Sequence, residues 1–190
     1  MSFKKSLTSV EPGSREATAY HEAGHAFVSI ELNCTFDFVT IVPDKETLGR
    51  VEGGQLDVRK GYVNLNEVLM RLAGARAEEI ACGELDHGGA QSDYFDAARY
   101  VANIEDIAEF ANFTPFESGI LEACSDEAER ILLYSWPCVV GIVEQLLVKE
   151  TLTDDEVREI CESVEMSEAM DKHRELYWKH VDESGRLTET

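Results

Sequence analysis

Residues 18–32 read TAYHEAGHAFVSIEL, and within them His21-Glu22-Ala23-Gly24-His25 is the pattern H-E-x-x-H. On a helix, side chains four residues apart project from nearly the same angle, so both imidazoles can reach one metal ion. Glu22 lies about 100° round the helix, within reach of a water on that metal. The chemistry needs all three. Two neutral nitrogens hold zinc, a third protein ligand completes the cage, and the fourth position stays open for water. Zinc lowers that water's pKa to about 7, and the glutamate takes its proton.

The third ligand must come from elsewhere. No histidine follows at the H-E-x-x-H-x-x-G-x-x-H spacing, since residue 31 is glutamate. A carboxylate from a later helix remains, and Glu78, Glu79, Glu84, Asp86 and Asp93 are the candidates. Asp93 stands at the expected start of a helix, where the positive helix end favours an ionised carboxylate. First-turn aspartates are also common as caps, so spacing alone leaves the choice open. Gly24 adds a further hint. A mid-helix glycine costs about 0.8–1.0 kcal/mol relative to alanine and is tolerated where something must approach the backbone. With Tyr20, Ala23, Phe27 and Ile30 on one apolar stripe, the helix is expected to be a metal platform, one face in the core and the other holding zinc.

The elements that must position these groups are mostly helical. Residues 1–13 read as a loose leader, and Ser14 as the cap of a helix running to about Asn33. FDFVTIVP (36–43) and LGRVEGG (48–54) read as two short strands joined by a turn. A second helix spans 64–82 and stops at Gly83. GELDHGGAQSD is a loop hinged at Gly88-Gly89, and a third helix runs from about Ser92 to Ala111. FTPFESG reads as loop. A fourth helix carries EAERILLYSWPCVVGIVEQLLVKE, bent or broken by Pro137. Thr153 and Glu156 form a capping-box pattern opening a fifth helix. The fold class expected is mainly α (α+β) with one small β-sheet. Its divisions are a leader (1–13), one domain (14–165), and a C-terminal helix and tail (166–190).

Composition excludes several classes of function. The 190 residues carry a formal net charge of −21, which leaves no basic footprint for nucleic acid and disfavours anionic membrane surfaces. No stretch approaches the roughly 20 apolar residues of a spanning helix, and the N-terminus lacks the apolar segment of a secretory signal. Five scattered cysteines form no C-x-x-C pair, so reduced thiols in a cytoplasmic protein are expected.

Taken in order, AYHEAGHAFVSI, TIVPDKETLGRV, LAGARAEEIACGE and GGAQSDYFDAARYVA resemble the peptidase domain of the FtsH-type ATP-dependent zinc metalloproteases. The likeness covers roughly residues 16–110, and more weakly the closing helices. It implies a helical zincin-like fold, Zn2+ as cofactor, His21, His25 and Asp93 as ligands, and Glu22 as the base. GGAQSD matches the family's T-G-A-x-N-D, with Gly88 for Thr and Ser92 for Asn. The resemblance further implies that Glu78 or Glu79 supports a ligand histidine, Glu79 being the favoured one. It implies that Leu48, Gly49, Arg50 and Val51 form a sheet edge to which substrate adds as a strand. The sequence holds no G-x-x-x-x-G-K-[ST] phosphate loop and no membrane anchor.

The expected function is zinc-dependent hydrolysis of flexible or unfolded polypeptide. The alternative is a non-catalytic, zinc-stabilised module that binds peptide or serves a separate ATPase, with self-association a further option. Glu22 favours the enzyme, because a purely structural zinc site needs no base.

Overall fold

Ser14 opens the first helix, α1 (Arg15–Glu31), by accepting a hydrogen bond from the Ala17 amide at 3.1 Å. The computed structural model describes residues 10–44, 47–53, 63–83, 91–102 and 114–164. In chain order the elements are α1, β1 (Phe38–Thr40), β2 (Arg50–Glu52), α2 (Val63–Cys82), α3 (Gln91–Ala102), α4 (Thr114–Tyr134), α5 (Trp136–Lys149), β3 (Thr151–Thr153) and α6 (Asp154–Ser163). The chain is thus mainly helical with one small sheet, as its patterning implies.

Helix α1 is the axis of the molecule. From Ala17 to Ser29 all but two of its residues are buried, so it has no solvated face there. Helix α2 packs against it through a stripe of small residues, Ala73, Ala77 and Ala81, all in the main core. A Cβ at Gly24 would lie 2.6 Å from both the Ala73 carbonyl oxygen and the Ala77 Cβ. Gly24 is therefore explained by the close crossing of α2. What approaches the backbone there, as a mid-helix glycine implies, is α2.

The sheet is antiparallel in the order β2-β1-β3. Val39 pairs with Val51 on one side and with Leu152 on the other. The sequence gives no sign of β3, which is three residues lodged between two helices. Glu150 makes it possible by taking a left-handed conformation (φ +66°) at the end of α5, donating its N–H to the Leu146 carbonyl. The Ile41 amide and the Thr40 hydroxyl both donate to the Glu150 carbonyl. Thr153 then serves both β3 and the capping box of α6, in which Glu156 reaches back to the Thr153 amide at 2.9 Å.

Two other expectations change. Within FTPFESG, residues 114–119 are helix and not loop: α4 begins at Thr114, because proline is tolerated in a helix's first turn. The fourth helix, expected to be bent or broken by Pro137, is broken into two, α4 and α5, meeting at 79° around Ser135 with Pro137 in the first turn of α5. Val10, at the end of the expected loose leader, is buried in the main core. The Gly88-Gly89 hinge, His87, the end of the third helix and the segment 166–190 lie outside the described residues. Among the described residues, no single helix is long and apolar enough to cross a membrane.

A second, smaller core joins Val68 and Leu72 of α2 to Ala97 and Val101 of α3 and to Leu121 and Cys124 of α4. It seats α3 on α2 and so fixes where the first turn of α3 stands.

Candidate metal centre

Two rows of α2 do different work. The row 73, 77, 81 carries the packing against α1. The neighbouring row 70, 74, 78, also at spacing four, attends to the histidines. Nδ1 of His21 lies 3.1 Å from Glu78 Oε2, and Nδ1 of His25 lies 2.6 Å from the Met70 carbonyl. Between them Gly74 makes room: a Cβ there would overlap His25 Nε2 and lie 2.7 Å from His21 Nε2.

Both acceptors hold an imidazole proton at Nδ1, so that each Nε2 is the nitrogen turned to the candidate site. The two Nε2 atoms face a single oxygen, Oδ2 of Asp93, at 2.9 Å from His21 and 3.3 Å from His25. Asp93 stands in the first turn of α3. These three ligand atoms all lie within 4.8 Å of one another. Two imidazole nitrogens and one carboxylate oxygen, with tautomers already fixed by outer partners, are a donor set suited to zinc.

The electrostatics follow from this enclosure. Burial works against a charged His21. Its hydrogen bonds to Asp93 and Glu78, and the charge of Glu22, outweigh that and raise its pKa to about 10. Burial likewise opposes a charged Asp93, but the two imidazoles hold its carboxyl far below the usual carboxylate range. A metal entering the site therefore displaces a proton shared between a histidine and an aspartate. Glu22 is buried beside them, and burial pushes its pKa up while the histidines pull it back in part.

Of the pair proposed to support a ligand histidine, Glu78 is the one that reaches it. Glu79, the favoured residue, points the other way and binds Arg76 at 2.5 Å. One residue on a helix is about 100°, which is enough to turn a side chain out of the site. Gly74 is a residue of the site that patterning missed. Its signal is present in LAGARAEE, as a glycine four residues before the glutamate that holds His21.

The other wall is the sheet edge. Leu48, Gly49, Arg50 and Val51 all line a cavity of about 970 Å³ that also contains His21, Glu22, His25 and Asp93. A Cβ at Gly49 would lie 2.7 Å from Glu22 Cγ and 2.8 Å from its Oε1, so the strand can approach Glu22 only with glycine there. Among the described residues β2 pairs with β1 on one side only and forms one border of the sheet. Arg50 is turned to Asp44 (2.5 Å) and Glu52 (3.1 Å).

The model of peptidase family M41 matches residues 8–110, more than half of the chain. The ATP-dependent zinc metalloprotease FtsH 2 of Thermoanaerobacter sp. (strain X514) is 30% identical over 189 residues, covering 84% of this chain and 35% of that protein. FtsH 1 of Alkaliphilus metalliredigens (strain QYMF) is 29% identical over 185 residues, covering 83% and 31%. FtsH of Borreliella burgdorferi (strain ZS7) is 29% identical over 196 residues, covering 83% and 30%. The chain spans about a third of the length of these relatives. It belongs to peptidase family M41.

Proposed function

We propose that this chain is a zinc-dependent endopeptidase acting on flexible or unfolded polypeptide. The observation that carries the reading is the convergence of His21 Nε2 and His25 Nε2 on one Asp93 oxygen, with both Nδ1 atoms tied elsewhere. In this reading His21, His25 and Asp93 hold zinc, and Glu78 and the Met70 carbonyl keep the imidazoles oriented. Bound zinc would polarise the scissile carbonyl and lower the pKa of a water to about 7.

Glu22 is the proton carrier. Its carboxylate accepts the proton that the attacking water loses and delivers it to the leaving amine nitrogen. Burial, which raises its proton affinity, suits it to that exchange. An extended substrate adds to the border of the sheet at β2, and its backbone is held by main-chain hydrogen bonds. The relatives are named as ATP-dependent, so delivery of substrate by a separate ATPase is part of the reading.

The test is metal content followed by cleavage of casein. The zinc-loaded chain is expected to bind one zinc and to cleave casein, and Glu22→Gln to keep the zinc and lose the cleavage. Equal cleavage by Glu22→Gln sinks the mechanism. Zinc binding with peptide binding but no cleavage by the native chain favours the non-catalytic module.

A further inference from the structure

Beyond His25 the cavity continues between the chain that leaves α1 (Cys34, Phe36) and the N-terminal half of α2 (Glu67, Arg71). Its charged groups are unevenly committed. Arg50 is held by Asp44 and Glu52. Arg71 lies 3.8 Å from Asp96, and Asp96 in turn accepts from Arg99 at 3.0 Å. Glu22, Glu78 and Asp93 belong to the metal centre. Glu67 is half-buried in the wall, and no hydrogen bond or ion pair reaches its carboxylate among the described residues.

Two observations place its charge. Burial raises the pKa of Glu67, with Arg71 only partly offsetting this. Across the cavity, burial and then the charge of Glu67 push the Cys34 thiol up to about 11. A carboxylate thus faces the cavity with no cation of the chain within ion-pair distance among the described residues.

We propose that Glu67 makes this end of the groove a subsite for a cationic side chain, lysine or arginine, of the polypeptide substrate. The subsite rests on the reading of the cavity as a peptide groove. Gly74, which lies under the histidines, is seven positions along α2 from Glu67, a rise of about 10 Å. An extended peptide advances about 3.3 Å per residue. The cationic side chain therefore belongs within about three residues of the scissile bond. A lysine there loses water but gains a carboxylate already partly stripped of it, whereas an uncharged side chain leaves that carboxylate buried without a partner.

The test uses the zinc-loaded full chain and fluorescence-quenched alanine-serine peptides, each with lysine or the uncharged norleucine at one position. Lysine is expected to raise kcat/KM over norleucine about tenfold at one position, chiefly through KM, and Glu67→Gln to bring that ratio close to one. A lysine advantage spread evenly over all positions is what the net charge of −21 alone would give, and it overturns the subsite. So does an advantage that survives Glu67→Gln. Binding of the same labelled peptides to Glu22→Gln separates the subsite from the hydrolase reading. A positional lysine preference that disappears on adding Glu67→Gln upholds the subsite even if the native chain cleaves nothing, and then the hydrolase reading fails. Equal binding of lysine and norleucine peptides overturns the subsite even if the native chain cleaves both.

Discussion

The α-carbon of Gly74 faces His25 Nε2 so closely that one added methyl group would overlap the nitrogen. A glycine with no such duty would gain about 0.8–1.0 kcal/mol in helix stability on replacement by alanine. Gly74→Ala is expected instead to keep its helical circular dichroism and to lose zinc affinity by about tenfold or more, since both imidazoles must shift. Competition with a chromogenic chelator measures this, and unchanged affinity in a folded variant would contradict it.

Gly24 meets protein rather than the metal site. A Cβ there would press on the Ala73 carbonyl, a backbone group, and on the Ala77 Cβ, which is fixed directly to the backbone, so neither can swing away. Gly24→Ala should therefore destabilise the fold by about 1–3 kcal/mol despite its better helix propensity. Urea unfolding checks it: the midpoint should fall with the slope unchanged. A variant as stable as the native chain would show that α1 and α2 can separate at little cost.

The two neighbouring glutamates of α2 should behave differently. Glu78→Gln weakens the hold on His21 and is expected to cost about 10–100-fold in zinc affinity or activity. Glu79 is 37% exposed and, among the described residues, its carboxylate is engaged only with Arg76, so Glu79→Gln should leave both within about twofold. Side-by-side zinc titrations of the two variants decide it, and equal losses would refute the assignment.

A pH dependence follows from His21. Its pKa in the folded, metal-free chain, about 10, lies above the 6.5 of a free imidazole. The stability it contributes is complete below about pH 6.5 and is lost as pH rises through 10. With zinc bound, Nε2 carries no proton to lose. Scanning calorimetry between pH 7 and 10 should therefore show Tm falling more steeply in EDTA than in excess zinc. Parallel slopes would rule out a shared proton at the centre of the metal-free site.

The parts that could be read from sequence are those with local causes. H-E-x-x-H on a helical period, the Ser14 cap, the stop at Gly83 and the Thr153/Glu156 box each lie within a few residues of chain, and all are present in the structure. What escaped depends on distant partners. β3 exists because β1, about 110 residues upstream, pairs with it, while Thr40 and Ile41 bond the Glu150 carbonyl just before it. Gly24 and Gly74 are understood only once α1 and α2 are crossed. The choice between Glu78 and Glu79 is a matter of helix phase, which a charge pair in sequence does not fix.

The sheet sets how short a working fragment of this chain can be. The match to the family model ends at residue 110, yet Val39 of β1 packs in the main core with Leu132, Ile142, Leu146 and Leu152, all from beyond that point. Cutting the chain there would strip β1 of its partner β3, leaving a row of unpaired amides and carbonyls beside an uncovered apolar face. That combination recruits other chains into edge-to-edge aggregates. A fragment that keeps this sheet and core must therefore run at least into α6, whose Val157 lies in the same core, and its limits follow the strand pairing rather than the extent of the family-model match.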